Sequence, residues 1–364
     1  MNRVKHSVYC AVKDFTKCAA RNFVLCTARH VVHCAAFLTI FTLFSSPAFS
    51  DDTGFKFSLE PLAGIRNGTL SEYVYANSTA NGKEYHLSQL DWDIKSAPYI
   101  GLGADVQIKR FHVTASARGF FKNDSGQMQD SDWLQDKYYG TGKTNIKTNF
   151  SVHDNNINFG NVFDIELKFD FKPAEKIILS PFIGFSYEHF FLTASGGKAW
   201  YGNSTDGNSS HSFYAYDDPD PTHVSVGNFS SKVIELERKD YYTWLGLECS
   251  LLSSDDRWVV SFAIAGSPFT YFDSLDSHLV RTPPIFFNDI GAAVFYAWKG
   301  SASVMFKATD SVSIKFLVSG LITGEIQENS FTSHNKSGPY TKQGSLTGSG
   351  SKYCDVQISG VIRF

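Results

Sequence analysis

Beyond residue 51 this chain is built from long stretches of alternating apolar and polar residues. In one of them Leu90, Trp92, Ile94, Pro98, Ile100, Leu102, Val106 and Ile108 share one parity, and Gln89, Asp91, Asp93, Lys95, Asp105 and Gln107 share the other. Side chains of a strand alternate between faces, so this spacing makes one greasy face and one charged face. The next stretch sets Phe111, Val113, Ala115, Ala117 and Phe121 against His112, Thr114, Ser116, Arg118 and Lys122. A further one sets Ile157, Phe159, Phe163, Ile165, Leu167, Phe169 and Phe171 against Asn158, Asp164, Glu166, Lys168 and Asp170.

Soluble sandwiches alternate too, and length separates the two classes. Membrane strands need about 9–11 residues, whereas soluble strands usually have about 5–6. Several stretches here exceed both. Short connections fall at Lys109-Arg110, Lys172–Lys176, Ser253–Arg257 and Ala308–Ser311; long polar ones fall around Gly68–Lys83, Asp132–Asn149, Ser195–Lys232 and Asn329–Ser349. Tight turns on one side and long loops on the other predict an all-β fold, a transmembrane antiparallel up-and-down β-barrel of about ten strands with long extracellular loops. The alternating end Val356–Phe364, closing on an aromatic, reads as its last strand.

Residues 1–50 read as a cleaved secretory signal and 51–364 as the barrel domain. Arg3, Lys5, Lys13, Lys17, Arg21 and Arg29 precede an apolar core at Ala35–Phe44, and Ala48-Phe49-Ser50 offers small residues for cleavage. That segment holds six of the 33 basic residues and one of the 36 acidic ones, leaving 27 basic against 35 acidic side chains, net −8. Such a surface excludes a nucleic-acid partner. Cys10, Cys18, Cys26 and Cys34 recur every eight residues, a spacing that matches no common zinc site and lies in the part expected to be removed. Cys249 and Cys354 lie on the apolar parity of their strands and read as small apolar side chains.

Two constellations carry chemistry. Asp130 and Asp132 put two carboxylates on one side of a strand, and Asp276 and His278 repeat the spacing with a base. Adjacent acids hold a proton back, and a carboxylate-held histidine is a base poised near neutral pH. The bland alternative is a set of polar residues at a barrel rim. No metal site, nucleotide loop or serine or cysteine nucleophile stands out.

Several landmarks together resemble the omptin family of outer-membrane aspartyl/histidine endopeptidases. They are Ser88-Gln89-Leu90-Asp91-Trp92, Asp130-Ser131-Asp132-Trp133, Ser151-Val152-His153, Thr193-Ala194-Ser195-Gly196-Gly197 and Asp276-Ser277-His278, in order from about Phe55 to Phe364. The resemblance implies an outer-membrane peptide hydrolase that cleaves next to basic residues, its site facing the exterior. Asp130 and His278 would flank the attacking water, Asp276 would orient His278, and Asp132 would keep the acid pair partly protonated. Glu72 matches the acid that receives the basic side chain before the cleaved bond. The second acid of that pocket falls at Ser274, with Asp273 adjacent, and the acid for the following residue falls near Asn149. A preference for one Lys or Arg fits what remains. Lipid contacts on the outer wall fall at His189, Arg238 and Lys239. No cofactor is implied beyond a lipid dependence; the partners implied are basic polypeptides and outer-membrane lipid, with the protein a monomer.

Counted from the third strand, Asp130 and Asp132 keep the inward parity of His112, Ser116 and Arg118. Asp276 and His278 share the parity of Phe262 and Ile264, expected to face lipid, so His278 reaches the lumen only through a bulge near Gly266 or Pro268. The competing reading is an inactive barrel of the same shape acting as an adhesin or binding surface. A small channel is a third, disfavoured because about ten strands leave an interior filled by side chains.

Overall fold

A computed structural model describes residues 54–77, 84–134, 146–205, 207 and 212–364. The expected signal segment lies outside the described residues. The chain from Lys56 onward is one compact unit of antiparallel strands. The first, β1 (Phe55–Asn77), and the last, β15 (Thr341–Arg363), pair from Ser58↔Arg363 to Val74↔Thr347, which closes the sheet into a barrel. The full-length strands between them are β2 (Glu84–Ile108), β5 (Asn149–Phe169), β7 (Ile177–Gly202), β9 (Lys232–Leu252) and β14 (Val312–Ser333).

Three further walls are each split in two: β3 (Phe111–Phe120) with β4 (Asn123–Asp132), β10 (Trp258–Gly266) with β11 (Thr270–His278), and β12 (Ile285–Ala293) with β13 (Ala297–Lys307). Among the described residues, counting each split wall once gives ten staves. The short β6 (Phe171–Ala174) and β8 (Val224–Asn228) extend the two ends of β7. The short turns fall where the sequence puts them. Three of the four long connections are shorter than expected, because β1, β7, β14 and β15 run deep into them; the one between Asp132 and Asn149 keeps its expected bounds. A loop at 279–284, between β11 and β12, joins the same side. The terminal amide of Phe364 donates to Phe57 O (2.9 Å) and its ring stacks on Phe57, which pins the last strand to the first.

The outer face of the lower barrel carries a broad apolar belt that includes Ile100, Leu102, Phe163, Leu245, Phe262, Ile264 and Phe316. Hydrocarbon favours such side chains, and a closed sheet lets backbone groups pair from strand to strand instead of facing lipid. Inside, at the same level, charges pair: Arg66 with Asp355 (2.8 Å) and Glu188 (3.1 Å), Arg118 with Asp164 (2.7 Å), Lys168 with Glu248 (2.7 Å), and Lys299 with Glu166 (2.8 Å).

Above the belt the pattern inverts. Leu90, Trp92 and Ile94 are buried in an interior cluster with Met128, Ile157, Leu192 and Leu236. The single greasy face read along β2 is therefore two faces: even residues point inward to Ile94, and Ile100 and Leu102 are more than half exposed on the outside. The switch falls at Ser96, held at φ 49°, where one residue is spent without alternating. Ile157 and Phe159 are likewise on opposite sides, across a register shift between β5 and β7.

β10 and β11 show the same device. Gly266 pairs with Leu245 and Thr270 with Tyr242, four steps on one strand against three on the other. The extra residue lies in Ser267–Phe269, where Pro268 has no amide to offer a ladder. The Ser267 hydroxyl donates to Phe269 O (2.8 Å), and the Thr270 hydroxyl donates to Ser267 Oγ (2.9 Å). Consequently Phe262 and Ile264 face out while Phe272, Ser274 and Asp276 are buried inside.

Candidate active site

In the upper barrel Asp130 on β4 and His278 on β11 lie close enough for their charges to act on one another. Asp130 sits opposite Leu90 on β2 and Ser151 on β5. The Ser88 hydroxyl donates to Asp130 Oδ1 (3.4 Å), and the Asn149 amide donates to Asp132 Oδ2 (3.2 Å). On β11, His278 Nε2 and Asp276 Oδ2 are 2.6 Å apart, and the imidazole is edge-on to Phe287.

The electrostatics tie the two pairs together. Burial, with the neighbouring Asp132 carboxylate, pushes Asp130 up to about 7, and His278 draws it partly back. Burial also raises Asp132, against the hydrogen bonds from Ser88 and Asn149. For His278 burial opposes the charged form, but Asp276 raises the imidazole above its ordinary range and Asp130 adds to this. Tyr201 lines the same wall: burial and the charges of Asp130 and Asp132 raise its phenol.

Glu72 is buried on β1 beside this group, and the Trp92 indole donates to its Oε2 (2.9 Å). Burial raises Glu72 strongly, and Asp276 and Asp289 raise it further. Asp289 was not legible in the sequence. It sits on β12 between Ser274 of β11 and Ser330 of β14 and is 6% exposed. Burial pushes it up to about 7 despite the flanking Ser330 and Thr347 hydroxyls. Its one signal is a carboxylate two residues past Phe287, on the face that Phe287 shares with Asp276 across the ladder.

Two expected positions are corrected. Asp273 points away from the pocket: it pairs with Lys239 on the outer parity, and the Asn288 amide holds its Oδ1 (2.9 Å). Ser274 itself faces in. Arg238 is inside the barrel, 1% exposed, bound to Asp240 (3.0 Å), Ser351 Oγ (3.0 Å) and Gly350 O (2.9 Å), so it does not face lipid. His189 and Lys239 do lie on the outer wall, each 3.1 Å from Glu237.

His153 is structural in its contacts. Its ring bridges Gly196 O (2.6 Å) and Ser151 Oγ (2.9 Å), tying β5 to the turn of chain at Gly196-Gly197. Gly197, at φ 91°, lies so close to Val152 O that a Cβ would sit 1.9 Å from it. Among the described residues no group of three or more His, Cys, Asp or Glu is arranged to hold a metal ion.

Residues 53–215 match the model of the omptin family. The outer membrane protease OmpP of Escherichia coli (strain K12) is 28% identical over 149 residues, which are 40% of this chain and 44% of that protein. The chain thus spans under half the length of this curated relative. Over the whole fold, the crystal structure of the outer membrane protease OmpT from Escherichia coli aligns with a TM-score of 0.69 and 17% identity, covering 88% of this chain and 99% of that one.

Proposed function

From this resemblance to the omptin family, in sequence over residues 53–215 and in fold around the barrel, we propose that the protein is an outer-membrane endopeptidase with its mouth on the cell exterior. The observation that carries the proposal is the meeting of Asp130 and His278, whose charges act on one another although they lie on β4 and β11.

A water between them has a base on one side and an acid pair on the other. His278, oriented through Nε2 by Asp276, takes the water proton, and the oxygen attacks the scissile carbonyl carbon. Asp276 stabilises the imidazolium that forms. The Asp130–Asp132 pair keeps a proton near neutral pH and passes it to the amide nitrogen as the C–N bond breaks. The proton that His278 took from water then returns to the Asp130–Asp132 pair, which restores both groups, and the free acid and amine exchange their own protons with solvent. Acid–base help of this kind contributes about 10²–10⁴ in rate; substrate positioning supplies the rest.

The acidic pocket at Glu72 selects a basic residue beside the cleaved bond. All four reacting side chains come from one chain, so a monomer suffices. Lipid contact is reduced to His189 and Lys239 on the outer wall, and activity in lipid-free micelles tests whether it is needed.

The direct test is hydrolysis of an Arg- or Lys-containing fluorogenic peptide by refolded wild type, Asp130→Ala and His278→Ala. Cleavage confined to wild type is expected; equal rates in all three would sink the reading. Absence of cleavage by any, in folded barrels, would favour the adhesive-surface alternative.

A further inference from the structure

The mouth contains more buried, unsatisfied polar atoms than its acid–base chemistry uses. Among the described residues, Glu72 Oε1, Asp289 Oδ1 and the hydroxyls of Ser274 and Ser349 have no hydrogen-bond partner, and each residue is at most 6% exposed. An unsatisfied polar group in that setting is costly, more so when charged, so four together point to a missing occupant.

The register arranges them as one wall. Ser274 on β11 pairs with Asp289 on β12, Asp289 with Ser330 on β14, and Ser349 on β15 with Glu72 on β1. The wall thus runs from a carboxylate on β12, across a row of hydroxyls, to a carboxylate on β1. Asp276 closes it on the side of His278 and acts on both end carboxylates. Arg238, whose charge acts on Glu72, does not fill the gap: its donors go to Asp240, Ser71 O, Gly350 O and Ser351.

We propose that Asp289 is the specificity-determining partner of Glu72, and that the two receive one guanidinium, the side chain of an arginine in the substrate. The inference rests on reading the mouth as a peptide site. The acid expected on β11 has an equivalent one strand over, because Ser274 and Asp289 are direct neighbours in the ladder. Guanidinium fits better than ammonium. It is planar, carries five N–H donors in a fixed fork and sheds water more readily, whereas an ammonium offers three donors from a point. Two carboxylates approached from different strands, with hydroxyls between them, suit the fork.

Binding tests this separately from cleavage. In the His278→Ala protein, titration calorimetry compares two peptides that differ only in Arg or Lys at the selected position. The Arg peptide is expected to bind at least about tenfold more tightly. Adding Asp289→Asn should weaken the Arg peptide about 10–100-fold, as expected for loss of a charged hydrogen-bond partner, and bring the two affinities together. Adding Ser274→Asp to Asp289→Asn should recover part of the Arg preference by restoring the acid across the ladder, which a purely structural role for Asp289 would not do. Unchanged affinity and ratio in a folded Asp289→Asn barrel would overturn the proposal. Tight Arg binding with no hydrolysis by the wild type would instead overturn the peptidase reading and leave the receptor standing.

Discussion

The same barrel interior treats its charges in two ways. At the level of the apolar belt, Asp355, Glu188, Asp164, Glu166 and Glu248 each touch an Arg or Lys. At the mouth, Glu72 and Asp289 are buried and Asp130 and Asp132 half-buried, and among the described residues no ion pair with Arg or Lys holds any of them; Asp276 has His278. Buried charge is tolerated when paired and is expensive when not. The lower network is therefore consistent with holding the barrel, and the upper one with a site that waits for a partner. The arginines are placed differently in the two regions: Arg66 and Arg118 serve the belt, Arg238, though close to the mouth, is bound to Asp240, and Arg281 acts through its charge on Asp132 and His278.

Substitutions can break that contrast or sharpen it. The largest effect is expected from His278→Ala, with peptide hydrolysis falling about 10²–10⁴-fold in initial-rate assays while the barrel stays folded. Arg66→Met attacks the other region. It leaves Glu188 without its cation and Asp355 with Arg118 alone (3.2 Å), and should cost about 3–5 kcal/mol in denaturant unfolding of the micelle-bound barrel. Glu72→Gln removes a lone charge instead, so its unfolding midpoint should stay level or rise; a loss as large as that of Arg66→Met would erase the distinction between the two regions.

The pH response sharpens it further. Asp130 and Asp289 are raised to about 7, so each favours the folded state most at acid pH, below its ordinary carboxylate value. That contribution is lost as pH rises through about 7. Thermal midpoints should therefore fall between pH 5 and pH 8, and Asp289→Asn should flatten the fall. The smallest expected effect belongs to Trp92→Phe, which deletes the indole donor to Glu72 and should cost about 1 kcal/mol in the same unfolding measurement.

Much of this architecture could be read from periodicity. Strand length, the tight turns such as Lys109-Arg110 and the closing strand at Phe364 follow from local patterns, because lipid outside and closure of the sheet leave few alternatives. Asp130, Asp132, Asp276 and His278 stood out because the i, i+2 spacing is itself chemical. The sidedness of particular residues was less legible. Parity carries it only while alternation is unbroken, and the left-handed Ser96 reverses it silently within β2. Arg238 and Asp273 were misplaced for a related reason: adjacent residues, such as Asp273 and Ser274, project from opposite faces of one wall, so an error of one position moves a side chain from water or lipid to the lumen. Asp289 was missed because its meaning lies in its neighbour across the ladder, which no linear spacing reports.

The extra residue at Ser267–Phe269 has a consequence for how such a chain can change over generations. Loss of one codon there would keep the reading frame of the gene and shift the reading frame of the faces, turning Asp276 and His278 toward the outside and Ser277 toward the lumen. The same loss in the loop at 279–284 would leave both strands in phase. Tolerance to small deletions should therefore be lowest at a point well below the mouth, in residues that touch no substrate.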